Sequence, residues 1–516
     1  MQTAGIPGAS APVRQPTEHV YYTMTKTLCA HCKRAVDGKI HFVGDEVFLD
    51  KFCPDHGHQK CLIASSVEWY LDALSFVSPN TPPHQDDVKP VSRGCPFDCG
   101  PCASHQQKVY MPVVPITSAC NLDCPICYTV NKNDDPHMLS EQHFAAILEH
   151  LKRQHAEMDI INFTGGEPTL HPDLPKFLKM SRAAGIRRLT ISTNGLKLKD
   201  EAYVRRLAAL DARIVLSLDT FDEAVDKQML GANTVATKLR VLDLLEKHDV
   251  TATILPAVAT GLNDRDVGPL LDLVMKRPNV CSLELHTLTF TGQGGVGFDR
   301  KARITIPDLH RIIHDHTGGK IGANDFVPSP LAHPHCYSIA YVLMLDGGGY
   351  VPYARLFGRA KLYELLGDSI YIQPREKVEE VMRIAMDELW ADPSRLPESE
   401  AVLATLKRLL KEMFPPGKPL ALADRQKIAE RATKAIYIHS HMDEESFDVS
   451  RIMKCSVGVP EIDGSNIPTC SYNILYRERD ARFADAEMLA RMGHKGPHPV
   501  FDAVPQGKRS LPLLRS

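Results

Sequence analysis

From Val109 onward the chain alternates short β-branched runs with stretches whose apolar residues recur at helical spacing. The runs VYMPVVPIT, DIINFT, RRLTIST, ARIVLSL, TATILPAV and VCSLELHTL read as strands. Between them SEQHFAAILEHLKRQH, LPKFLKMSRAAG, DEAYVRRLAAL, TVATKLRVLDLLEKH and DVGPLLDLVMKR read as amphipathic helices. Regular strand and helix alternation implies a parallel sheet covered by its crossover helices. Six such units are legible over residues 109–318. They predict an α/β fold, a partial (βα)6 barrel whose site lies at the carboxyl ends of the strands.

Outside the barrel the pattern changes. Residues 1–18 are rich in Pro, Ala and Gly and predict a disordered start, and 19–78 form a small cysteine-bearing unit ending in SSVEWYLDAL. Residues 79–108 hold a Pro-rich linker and a further cysteine motif. After 318 the alternation stops, and 319–480 read as an α-rich C-terminal extension with the helical stretches EKVEEVMRIAMDELW, SEAVLATLKRLLKEMF and ADRQKIAERATKAIY. In the second of these Val402, Leu403, Leu406, Leu409, Leu410 and Met413 make one apolar face, the mark of a core or lid helix. Residues 481–516 read as a polar tail.

Composition narrows the function classes. In 516 residues the formal net charge is −3 with both signs interleaved, which lacks the basic footprint of a nucleic-acid binder. No run approaches the roughly 18 apolar residues that cross a bilayer, and the start shows no leader pattern, so a soluble, cytoplasmic protein is expected. Ten of the 14 cysteines fall before residue 130, in tight clusters. In a large chain without a signal peptide such clusters point to metals rather than disulfides. Cys281 stands alone in a strand and reads as a small buried hydrophobe.

The first cluster of chemical weight is PITSACNLDCPICYT, in which Cys120, Cys124 and Cys127 make a CxxxCxxC triplet followed by Tyr128. Three thiolates this close can ligate three irons of a 4Fe-4S cluster and leave the fourth iron open. One barrel unit later the strand DIINFT runs into Gly165, Gly166, Glu167 and Pro168, a loop where glycines allow close backbone approach and a carboxylate can accept from an ammonium group. Ser192, Thr193 and Asn194, then Ser217 and Asp219, put polar groups at the next strand ends; capping of the following helix is the structural alternative for Asp219. A second triplet, Cys95, Cys99 and Cys102, lies just upstream, and an auxiliary cluster there would need a fourth ligand from Cys336, Cys455 or Cys470. These three late cysteines could equally be buried apolar residues. At the N-terminus Cys29 and Cys32 form a knuckle, and Cys53 opens another whose partner is His56 or Cys61, a zinc-ribbon or rubredoxin-like arrangement for one zinc or iron.

With CNLDCPICY followed by GGEP, the chain resembles the radical S-adenosylmethionine (SAM) superfamily. Together with the knuckle, SRGCPFDCGPC, HPHC and IPTCSYN, the order of motifs over roughly residues 25–480 resembles the family of archaeal tetraether lipid synthases and dihydro-hydroxymethylpterin dimethyltransferases. It differs in the extra Cys61 and in SLDTFD at the fourth strand. The resemblance implies that Cys120, Cys124 and Cys127 hold the catalytic cluster, that Gly165, Gly166 and Glu167 hold the methionine amino group of SAM, and that Tyr128, Ser192, Asn194, Ser217 and Asp219 complete the cofactor site. It implies auxiliary 4Fe-4S clusters on Cys95, Cys99, Cys102 and the late cysteines, two or three clusters in all. It implies reductive cleavage of SAM to a 5′-deoxyadenosyl radical that attacks an unactivated carbon, with an external electron donor of flavodoxin or ferredoxin type. Carbon–carbon coupling of lipid alkyl chains is the first expectation, with transient membrane-surface contact; radical C-methylation of a pterin or other small molecule is the alternative. An iron-sulfur electron carrier or sensor is the reading from another class, and GGEP with the barrel periodicity argues against it.

Overall fold

The computed structural model describes residues 18–84, 88–100, 102–155, 158–367, 369–484 and 490. The expected disordered start and tail therefore lie outside the described residues, apart from Glu18, 481–484 and Ala490.

The N-terminal unit is a four-stranded antiparallel sheet in sequence order, β1 (Val20–Leu28), β2 (Ala35–Val43), β3 (Glu46–Cys53) and β4 (Gly57–Ala64). A helix over Val67–Ser75 follows, its first turn capped by Ser66, whose side chain accepts from Trp69 N. In the Pro-rich stretch Thr81 and Lys89 make isolated bridges to Gln107 and Cys102.

Six parallel strands then form the barrel wall: β5 (Met111–Thr117), β6 (Ile160–Gly165), β7 (Arg188–Thr193), β8 (Ala212–Leu216), β9 (Ala252–Ile254, with the short β10, Ala257–Val258, beyond Pro256) and β11 (Val280–Thr287). The predicted helices lie between them at Glu141–Gln154, Leu174–Ala183, Glu201–Ala208, Val235–Lys247 and Val267–Lys276. Strand residues alternate between the two faces. In β6, Ile161 and Phe163 are wholly buried against the helices with Phe144 and Phe177, whereas Asn162 and Thr164 face the barrel interior.

The segment after 318 does more than add helices. It supplies β12 (Val327–Pro328), β13 (Tyr337–Met344), β14 (Tyr350–Pro352), β15 (Thr433–His439), β16 (Val457–Pro460) and β17 (Asn466–Pro468). β15 pairs parallel with β11 and β13 pairs antiparallel with β15, while β16 pairs parallel with β5 at the other edge. Helices over Glu376–Ala391, Ser399–Met413 and Leu422–Ala432 match the periodic stretches, except that the third ends before TKAIYIH. Those residues are a strand because both edges of that segment find partners; burial and pairing outweigh the helical spacing that runs into it.

Candidate active site and metal centres

The barrel interior is not packed solid. Inward positions carry Asn162, Thr190, Ser192, Thr253 and Ser282, too small to meet across the axis, and a cavity of about 410 Å³ runs from the cysteine loop to the helices below. Its upper end holds Cys120, Cys124, Cys127 and Tyr128; its lower end meets Val381, Met382, Leu406, Leu409 and Met413. The apolar face of the helix Ser399–Met413 thus serves both the core and the cavity. Midway, Arg188 and Arg213 from the strand beginnings both pair with Glu430, and the Arg188 guanidinium lies 3.4 Å from the Tyr371 ring centroid.

The triplet loop follows β5 directly. Cys127 N donates to Cys124 O (3.0 Å), Ile126 N to Met229 O (3.1 Å) and Cys120 N to Asn133 Oδ1 (2.9 Å), so backbone bonds fix the three thiols. Burial foremost, with Glu167 and Cys127 adding to it, pushes the Cys120 thiol up to about 12; burial and the other two cysteines raise Cys124 further. Thiols in such surroundings ionise when a cation is placed among them, the condition a metal cluster meets. The donor set fits a 4Fe-4S cluster.

The GGEP loop locks onto this loop by backbone. Gly166 N donates to Thr117 O (2.8 Å) and Glu167 N to Ala119 O (2.7 Å). A Cβ on Gly165, where φ is +153°, would stand 2.3 Å from Thr117 O, and one on Gly166 2.2 Å from Ala119 O. The glycines therefore serve the junction of two strand ends. Glu167 is fixed by the protein: its Oε1 accepts from Thr169 N, Thr169 Oγ1 and Thr193 Oγ1, and its Oε2 from Asn194 N, at 2.6–3.0 Å. Three of these bonds fall on Oε1 and one on Oε2, so Oε2 keeps an acceptor site while the side chain lines the cavity. These bonds hold the loop in shape and fix the carboxylate at the cavity wall beside Cys120.

Ser192 and Ser217 face the cavity, Ser192 bonded to Asn162 and Ser217 to Thr193 O; Asn194 also lines it, with its side chain donating to Asn121 Oδ1. Asp219 does not line the cavity. It accepts from Ala257 N (2.8 Å) and lies 4.0 Å from the buried Lys238 ammonium. The next helix is capped by Asp222, not by Asp219. Cys281, expected as buried filler, is half-buried on the cavity wall.

The N-terminal cage is the best-defined metal centre. The ligand atoms of Cys29, Cys32, Cys53 and His56 all lie within 4.8 Å of one another. His56 Nδ1 is 3.6 Å from Cys29 Sγ and 3.5 Å from Cys53 Sγ, so His56 is the fourth donor. Cys61 is buried on β4 opposite Leu49, and its thiol points to Leu62 O. Three thiolates with one imidazole suit a closed tetrahedral zinc site. Gln59 Nε2 donates to Cys29 Sγ (3.2 Å), a support for the ligand behind the metal position.

Of the other cysteines, Cys95 and Cys99 border one apolar cluster together with Cys470, and Cys95, Cys99 and Cys102 perturb one another's thiols. Cys336, Cys455 and Cys470 gather as a set of their own: burial foremost and then the neighbouring thiols raise Cys455 and push Cys470 up to about 11. Cys470 thus stands near both sets, packed on the same apolar cluster as Cys95 and Cys99 and perturbed by Cys336. Sequence reading missed the inward groups Asn162, Glu284, His286, His439 and His441 and the Arg477 guanidinium, which donates to Gly165 O (3.2 Å). Polar residues at alternate positions of SLELH and of the segment IHSH were the available signal.

Residues 114–274 match the sequence profile of the radical SAM superfamily, and residues 21–65 match that of the HMPTM N-terminal zinc ribbon domain. The chain is 26% identical over 494 residues, 88% of its own length and 94% of the relative's, to a 7,8-dihydro-6-hydroxymethylpterin dimethyltransferase of Methanocaldococcus jannaschii. It is 26% identical over 185 residues, 36% of this chain and 58% of the relative, to a probable GTP 3',8-cyclase of Sulfolobus acidocaldarius. A similar solved structure is that of SuiB from Streptococcus suis bound to precursor peptide SuiA, with TM-score 0.36 and 20% identity over 41% of this chain and 46% of that one. Among the described residues no helix is long and apolar enough to cross a membrane. With the cysteine loop, the GGEP junction and the parallel barrel on the same residues as the matched profile, the chain carries a radical SAM domain over residues 114–274 and an N-terminal zinc ribbon over residues 21–65.

Proposed function

We propose that the chain forms a carbon–carbon bond at an unactivated carbon of a substrate held in the barrel interior, by C-methylation of a pterin-like heterocycle. The observation that carries this reading is the similarity along 88% of the chain to a protein named as a pterin dimethyltransferase. The upper cavity suits a heterocycle, since Asn162, Thr253, Ser282 and Glu284 present donors and acceptors on three walls. The cluster held by Cys120, Cys124 and Cys127 supplies, with SAM bound, the radical that removes hydrogen from the substrate. The residues supply position and exclusion of water: Asn194, Ser192 and Ser217 border the cofactor space, Tyr128 roofs it, and Arg477 clamps the GGEP backbone. The upstream triplet and the late cysteines are read as auxiliary 4Fe-4S clusters, the N-terminal cage as a zinc site, and an external flavodoxin or ferredoxin as the electron source.

A second reading is favoured by one specific observation. Below the Arg188–Glu430 pair the cavity wall turns apolar, with Val378, Val381, Met382, Leu406, Leu409 and Met413. Such a wall suits an alkyl chain and supports coupling of lipid tails. The test is anaerobic turnover with SAM carrying a deuterated methyl group, offered a reduced pterin or a saturated glycerolipid. Methylation puts the label into the pterin; coupling joins two chains without label. No product from either, while SAM is cleaved, would overturn both.

A further inference from the structure

Three histidines that the radical reaction does not call upon meet at the top of the barrel. His286 on β11 and His439 on β15 are cross-strand partners, and His441 follows two residues later. One ring nitrogen of each lies within 4.8 Å of the others. All three line the same cavity as Cys120, Cys124 and Cys127.

The surroundings are those of ligands rather than of core histidines. Glu284 Oε1 lies 2.9 Å from His286 Nε2, the carboxylate–imidazole contact that orients metal-bound histidine. Tyr337 stacks on His439 at 3.9 Å and 19°, and Tyr128 on His441 at 5.4 Å and 18°, so both rings are held flat against aromatic neighbours. His439 is only 7% exposed, and its ring lines the cavity between the Tyr337 ring and the two other imidazoles. Three imidazoles that line one cavity with ring nitrogens this close together are placed to share one ion.

We propose that His286, His439 and His441 hold one divalent metal ion, zinc or ferrous iron, whose open coordination positions face the cavity and take an oxygen or nitrogen donor of the substrate. Three neutral nitrogen donors with free positions are the ligand set of catalytic rather than structural zinc sites. Coordination there would fix the substrate's polar group beside Tyr128 and leave the rest of the molecule to extend down the cavity. The metal would act as a Lewis acid and anchor, without changing oxidation state. The substrate part rests on the barrel interior being the reaction site; the metal part does not, and it is read without turnover.

The test is metal binding by the full chain, prepared anaerobically with its clusters loaded and dialysed against zinc alone. The wild type is expected to hold one equivalent of zinc beyond that of the Cys29, Cys32, Cys53 and His56 cage. His439→Gln and His441→Gln should lose that equivalent with iron content unchanged, and Glu284→Gln, which leaves every imidazole in place, should bind it about 10–100-fold more weakly. If the histidine variants fail to fold, the Glu284→Gln affinity carries the test alone. Absence of the extra zinc in the wild type would overturn the assignment, and so would unchanged affinity in Glu284→Gln. Loss of iron in the histidine variants would also overturn it, because Cys470 Sγ lies 3.6 Å from His441 Nδ1 and the imidazole would then belong to a cluster.

Discussion

At the scale of single residues, the groups divide into those that meet the radical chemistry and those that hold them. Cys124→Ala removes one of three thiols and should abolish SAM cleavage, measured as 5′-deoxyadenosine. Cys99→Ala, outside the barrel, should retain cleavage while product formation falls, which separates an auxiliary cluster from the initiating one. Glu167→Gln replaces an acceptor of four hydrogen bonds by a group with only one acceptor oxygen, so at least one buried donor is stranded. The expected loss is about 1–3 kcal/mol in urea unfolding. Asp443 anchors the loop after His439: burial raises its pKa, but Arg303 and Ser446 outweigh this and hold it well below the usual carboxylate range. Its contribution is therefore complete above about pH 4 and is lost as pH falls through the folded value. Asp443→Asn should remove that part of the acid dependence of stability. The cysteine spacings were legible because covalent spacing alone places thiols around one metal. The histidine site was not, because His286 and His441 are far apart in sequence and only the β11–β15 register brings them together. Asp219 was misread for the converse reason: a polar residue just past a strand end turned away from the cavity, toward Ala257 and Lys238.

At the scale of elements, the six barrel strands and five crossover helices followed from periodicity, since each strand buries one face against helices. What periodicity concealed is which inward positions stay small enough to leave space, and which late segments become strands. TKAIYIH continues a helical stretch in sequence, yet as β15 it lies between β11 and β13. Ile436, wholly buried on that strand, contributes to the main core. Ile436→Ala should cost about 2–5 kcal/mol in denaturant unfolding. Were this segment only an ordered surface helix, the cost would stay within about 0.5 kcal/mol.

At the scale of the whole molecule, the zinc ribbon is tied to the C-terminal region that extends both edges of the barrel sheet. Lys33, next to ligand Cys32 and 1% exposed, donates to Ile474 O (2.7 Å) and pairs with Glu478 at 2.6 Å, which ties the cage to the segment carrying Arg477. A structural metal contributes its binding energy to folding. Cys32→Ser should therefore release the ribbon metal and lower the unfolding midpoint of the full chain, not of the ribbon alone. The cavity gives a second test at this scale: Leu409→Trp fills its lower end, which should spare methylation of a small heterocycle and suppress turnover of a long alkyl substrate. The most direct test of the central claim is the yield of 5′-deoxyadenosine from SAM by the anaerobically loaded, reduced full chain, compared with Cys124→Ala. Cleavage in the wild type and none in the variant is the predicted result; a fully loaded wild type that leaves SAM intact would contradict the account.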